Sequence, residues 1–137
     1  YLKMTLINDS LLLLINIIHL IIILFVIIIP FSNSNYLLLL HIIIIPFIIL
    51  HWTLNNNTCC LTIGEKMLRD KTTGIDTNIE DCFTYKLIAP IYDFNKNFSS
   101  YSNFIYLGTI SLWAISVFNI GFKFYNGQIT LVDLFIV

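Results

Sequence analysis

The sequence predicts an all-α membrane protein made of a helical hairpin and a third transmembrane helix. Short amphipathic helices are expected in the segment that joins them. Three observations carry this. Apolar residues make up 58% of the 137-residue chain and charged residues only 11%, whereas a soluble domain carries about 25% charged residues. Three apolar runs are long enough to match the hydrocarbon thickness of a bilayer. Most of the charge lies between the second and third runs instead of being spread over a surface. A chain of this length makes one domain, and a net charge of −1 gives no field to steer nucleic acid.

The first run, residues 11–29, has Asn16 and His19 as its only polar members. As a helix it is roughly 28 Å long. Each Leu or Ile contributes about −0.3 to −0.6 kcal/mol to insertion, so the run outweighs one Asn and one His. It exceeds the apolar core of a signal peptide, and Lys3 is a thin basic flank, so a retained helix is expected. Pro30 stops it, and the polar stretch Ser32, Asn33, Ser34, Asn35 turns the chain. Residues 36–52 form the second helix, with Tyr36 and Trp52 placed as interfacial aromatics. Pro46 removes one backbone donor and predicts a kink. The turn is short, so the two helices make an antiparallel hairpin.

Residues 104–122 form the third helix, with Thr109, Ser111, Ser116 and Asn119 inside it. Gly108, Ser111 and Ala114 suggest a small-residue face for helix packing. In the tail, 123–137, Asn126-Gly127 signals a turn. Residues 129–137 are apolar enough to lie on the interface or to begin a fourth span. Tyr1 at the start, and the apolar run Leu134, Phe135, Ile136, Val137 at the end, suggest incomplete or processed termini. Lys66, Arg69, Lys71, Lys86 and Lys96 all fall in segment 53–103. The positive-inside rule places that segment and the N-terminus on the cytoplasmic side and the C-terminus opposite, with Lys123 alone against it.

Segment 53–103 carries the local signals. Thr62-Ile63-Gly64-Glu65 reads as a capping box that starts a helix through Arg69, closed by Gly74 at positive φ. Thr77-Asn78-Ile79-Glu80 repeats the device, and a helix should run on to Ala89 before Pro90. Ile79, Phe83 and Leu87 would form its apolar face. Cys59, Cys60 and Cys82 are too few for a disulfide scaffold. A bridge from Cys82 to Cys59 or Cys60 is open, with free thiols favoured.

The run His51-Trp52-Thr53-Leu54-Asn55-Asn56-Asn57-Thr58-Cys59-Cys60-Leu61-Thr62, with Glu65, Arg69, Phe83 and Ala89-Pro90-Ile91-Tyr92, resembles small uncharacterised multi-pass membrane proteins of large DNA viruses of algae and protists. The likeness covers roughly residues 41–94. A more distant similarity is to a bacterial membrane family with Cys-Pro-Leu-Thr and a downstream Glu; here Cys60 has no Pro after it. The resemblance implies no chemistry. For a virus it implies a protein of the internal virion membrane or a membrane–capsid tether. Abundant Ile, Asn, Phe and Tyr with scarce Ala suit an AT-rich virus, organelle genome or protist.

His51, Trp52, Asn57, Cys60, Thr62, Glu65 and Arg69 are therefore expected to form a structural motif. His51, Cys59, Cys60, Glu65 and Cys82 contain no zinc-ligand spacing, having neither C-x-x-C nor H-x-x-x-H. A Cys nucleophile with His51 as base lacks a visible oxyanion hole. No catalytic, cofactor-binding or metal residue is expected. The intramembrane polar residues Asn16, His19 and His41 are expected to hydrogen-bond between the helices of the hairpin, with proton relay as the sharper alternative. Asn56-Asn57-Thr58 and Asn97-Phe98-Ser99 match glycosylation sequons by chance. The expected partners are the lipid bilayer and other protein subunits, either of a capsid or of a membrane complex, and no nucleic acid. The expected location is a virion internal membrane, or alternatively the mitochondrial inner membrane.

Overall fold

The computed structural model describes the backbone of residues 2–91, 98–130 and 132–133, and side chains within 7–91, 102–130 and 132–133. Tyr92, Lys96, Asn97 and the last apolar residues of the tail lie outside them. Among the described residues the regular structure is all helical: α1 (Leu2–Ile28), α2 (Asn35–Leu54), α3 (Cys60–Thr73), α4 (Phe83–Ile88) and α5 (Phe98–Tyr125), with 3₁₀ turns at Ile29–Phe31 and Ile79–Asp81. Three helices are long and apolar enough to cross a membrane: Ile7–Phe31, Asn35–Leu54 and Ser102–Tyr125. Each extends past the run read from hydropathy, because polar residues at the ends continue the helix without being apolar.

The chain divides into two compact units, Tyr1–Ile22 with His51–Ser102, and Ile23–Leu50 with Asn103–Val137. The second unit is held by polar contacts that follow from its prolines. Pro30 has no N–H, so the carbonyl of Val26 four residues back has no helical partner. The His41 ring supplies one, with Nε2 donating at 3.2 Å. Nδ1 is then the acceptor and takes the Ser116 hydroxyl at 3.0 Å. Pro46 frees the carbonyl of Ile42 in the same way, and the Trp113 indole N–H donates to it at 3.0 Å. Asn119 donates to the Pro30 carbonyl at 2.8 Å, and Lys123 Nζ to the Asn33 carbonyl and Asn35 Oδ1. Leu38, His41, Ile45 and Ser116 are fully enclosed.

These contacts decide which face of α5 is covered. Thr109 and Ser116 are buried while Gly108, Ser111 and Ala114 are exposed. A Cβ added at Gly108 would meet nothing within 4 Å. The expected small-residue packing face is therefore wrong: the covered side of α5 is the one from which Trp113, Ser116 and Asn119 reach the Ile42 carbonyl, the His41 ring and the Pro30 carbonyl. At the end of α5 the Asn126-Gly127 turn forms as expected, with Gly127 at φ 66°.

In the first unit α3 begins at Cys60, capped by Cys59 with no side-chain bond to the backbone. The expected capping box does not form: Thr62 and Glu65 lie inside the helix. Gly74 closes it as expected, at φ 69° with its N–H on the Asp70 carbonyl. The second capping box also fails. Thr77 turns toward Asp70, accepted there through its N–H at 2.7 Å and its hydroxyl. The expected helix to Ala89 breaks at Cys82, which is extended (φ −73°, ψ 155°). The break turns the face: Cys82 and Tyr85 are buried, and Leu87 is exposed.

Candidate functional site

The resemblance-bearing residues fall into two clusters of the first unit. The first sits where α2 ends. Asn56 (φ 51°) and Asn57 (φ 61°) both adopt the left-handed conformation, which Asn tolerates better than other residues with a side chain. The Asn57 N–H returns to the Trp52 carbonyl at 2.8 Å, and the Thr58 N–H to Asn55 at 3.0 Å. The chain thus reverses within a few residues. His51 then meets the start of α3, where Nε2 accepts the Cys60 backbone N–H at 3.0 Å. This bond, instead of Thr62, caps α3. The Asn55 carboxamide lies 3.2 Å from both ring nitrogens of His51.

The reversal brings the side chains of His51, Cys59 and Cys60 together, with potential ligand atoms all within 4.8 Å of one another. Cys60 is exposed and Cys59 intermediate. Burial pushes the Cys59 thiol up; the N–H groups of Leu61 and Thr62 and the Trp52 indole act against this, favouring the thiolate. Sequence spacing could not reveal the cluster, because the adjacent pair Cys59-Cys60 and a histidine across a turn match no familiar ligand pattern.

The second cluster centres on Glu65, which is fully buried. Its Oε1 accepts both Nε (2.9 Å) and a terminal nitrogen (2.8 Å) of Arg69. The Phe83 backbone N–H reaches both carboxylate oxygens, at 2.9 and 3.0 Å. Glu65 thus caps α4 across the fold, a role the sequence assigned to it within its own helix. Cys82, also fully buried, donates its thiol to the Thr62 carbonyl at 3.8 Å. Burial, then the Glu65 charge, pushes that thiol up to about 11. All three cysteines are free, so neither bridge to Cys82 forms.

The polar residues of the apolar helices separate. His41 bonds between helices, as expected. His19 bonds outside the hairpin: its ring lies 3.0 and 3.1 Å from the Thr84 hydroxyl in α4. Asn16 Oδ1 is buried without a hydrogen-bond partner. Gly64 is the approach point of α3 to α1, where an added Cβ would meet Ile15 at 3.6 Å. Thr84, Phe83, Trp113 and Ser116 were not singled out by sequence as partners of these groups. For Trp113 a signal exists, since counting back four residues from Pro46 names the orphaned carbonyl.

Comparison with known families, curated proteins and solved structures gives no match.

Proposed function

We propose that this chain is a non-catalytic integral membrane protein whose three long helices cross the bilayer and whose segment 53–103 forms a platform for other protein subunits. The observation that carries the reading is where the polar groups go. His41, Trp113, Asn119 and Lys123 close backbone and side-chain gaps between apolar helices. Thr62, Glu65, Arg69 and Cys82 close a knot around α4. His41, Glu65 and Cys82 are thereby already used by the fold.

Lipid contact is supported by what stays uncovered. Only 11%, 17% and 11% of the most apolar stretches of the three spans are buried, far more open apolar surface than a soluble monomer carries. Lys123 is the charge that opposes the positive-inside assignment. Its ammonium is taken up by the α1–α2 turn, so it weighs little against a cytoplasmic segment 53–103. The resemblance over residues 41–94 favours the internal membrane of a large DNA virus, as structural component or membrane–capsid tether. An accessory subunit of a mitochondrial membrane complex is the alternative, resting on composition and on a small, multi-helix, site-poor chain.

Alkaline carbonate extraction followed by cross-linking mass spectrometry of the solubilised membranes tests this. The chain is expected in the pellet, cross-linked to capsid proteins through segment 53–103. Release into the wash overturns the membrane reading. Cross-links to cofactor-bearing respiratory subunits overturn the viral one.

A further inference from the structure

We propose that His51, Cys59 and Cys60 form a three-ligand site for a thiophilic cation of the zinc class, seated between the end of α2 and the start of α3. Two thiolates and an imidazole are the donor set that zinc and copper(I) prefer over harder cations. The potential ligand atoms are within 4.8 Å of one another. Around a tetrahedral zinc they would stand roughly 3.4–3.8 Å apart, from bond lengths of about 2.3 Å to sulfur and 2.0 Å to nitrogen. Small side-chain rotations close that gap, and Cys60 is exposed and free to make them.

The backbone is already set. Two consecutive left-handed residues, Asn56 and Asn57, hold the reversal. His51 Nε2 accepts a backbone N–H at the start of α3, which places the ring beside the two cysteines. The Asn55 amide nitrogen lies 3.2 Å from both ring nitrogens and packs against the ring. Metal binding would exchange the Cys60 N–H bond to His51 for a bond to the ion. A neighbouring pair such as Cys59-Cys60 is poorly shaped for an internal disulfide, which leaves both sulfurs free as ligands. Three protein ligands leave one corner for water. The competing role is capping alone, with His51 serving only the α3 N-terminus.

The full chain in detergent micelles is titrated with Co²⁺ as a spectroscopic stand-in for zinc, with Zn²⁺ and Cu⁺ then added in separate arms to displace it. The expected result is a 1:1 endpoint with a thiolate-to-cobalt charge-transfer band and tetrahedral visible bands. Cys59→Ser and Cys60→Ser should each cut the charge-transfer intensity by about half and weaken affinity about 100-fold or more. Cys60→Ser keeps the backbone N–H that caps α3, so its fold is preserved and circular dichroism should be unchanged. Cys82→Ser should leave the band intact, because that thiol is occupied by Thr62. Absence of the band in the unsubstituted chain overturns the site. So does a band that survives the Cys59→Ser/Cys60→Ser double substitution, or one lost in Cys82→Ser.

Discussion

The Trp113 indole donates at 3.0 Å to the carbonyl of Ile42, the group that Pro46 deprives of its helical partner. An apolar helix tolerates an internal proline where a neighbouring side chain takes over the freed carbonyl. Trp113→Phe should therefore leave a buried acceptor unsatisfied and destabilise the protein by about 1–3 kcal/mol. Pro46→Ala restores the N–H to Ile42, so the same substitution in that background should do less. Thermal unfolding in detergent of the four members of this cycle measures the coupling. Independent effects would refute the pairing.

His41 repeats the device at Pro30, bridging Val26 and Ser116. Ser116→Ala should lower stability by about 0.6–2 kcal/mol, the range for interhelical hydrogen bonds between apolar helices. Ser116→Leu should do worse, because Ser116 is fully enclosed and the added volume has nowhere to go. Equal melting temperatures for the two variants would contradict the burial.

Much of this was legible in the sequence, and the failures share a cause. The three apolar helices, the Pro30 stop, the Gly74 cap and the Asn126-Gly127 turn are set by composition and local backbone rules, which act within a few residues. Glu65 and Thr77 were misplaced because each has two chemically equivalent options. A local capping box and a long-range bond look alike in sequence, and tertiary contacts with Phe83 and Asp70 win. The α5 face was misjudged for a related reason. Small residues suggested one face, while the long-range partners of Trp113, Ser116 and Asn119 set another. His51, Cys59 and Cys60 converge through the left-handed turn at Asn56 and Asn57, which the Asn-rich run signals as a turn but not as a full reversal.

That reversal gives a direct prediction. Asn57→Gly should be tolerated, since Gly takes φ 61° without strain. Asn57→Val should destabilise by about 1–2 kcal/mol, the penalty of left-handed backbone for a residue with a Cβ, and more for a branched one. Limited proteolysis between α2 and α3 reads the difference. Equal cleavage rates would show that the turn does not hold the segment.

For the α4 cap, removing Glu65 should be more damaging than removing Arg69. Glu65→Ala leaves the Phe83 N–H uncapped and opens a cavity. Arg69→Ala leaves a buried carboxylate that keeps the Phe83 bonds. Breaking a buried pair typically destabilises by about 3–5 kcal/mol; the Arg69 side chain is 27% exposed, which puts this pair toward the lower end. Hydrogen exchange at Phe83 should rise sharply in Glu65→Ala and little in Arg69→Ala. The reverse order would assign the α4 cap elsewhere.

Insertion is tested by Leu24→Arg. Leu24 is 44% exposed on α1, so in a bilayer its side chain meets lipid. An Arg at the centre of a span disfavours insertion by about 2.5–3.5 kcal/mol. The variant should shift from the carbonate-resistant to the soluble or degraded fraction. Normal membrane retention of Leu24→Arg would mean that this face of α1 is covered by protein.

Acid should open the loop after α3 before it affects the helices. The Thr77 hydroxyl and N–H, together with Lys66, hold the Asp70 carboxyl well below the usual carboxylate range, at about 2. An unfolded Asp titrates near about 3.9. The folded value is the lower one, so the contribution of Asp70 is fully present above about pH 4. It is lost as pH falls through the folded value near 2. Amide exchange at Thr77, corrected for its intrinsic pH dependence, should therefore accelerate across that window while amides in α2 stay protected. Asp70→Asn removes the titrating group, so exchange at Thr77 should become flat with pH. A wild-type profile that is already flat would mean that Thr77 is held by something other than the Asp70 charge.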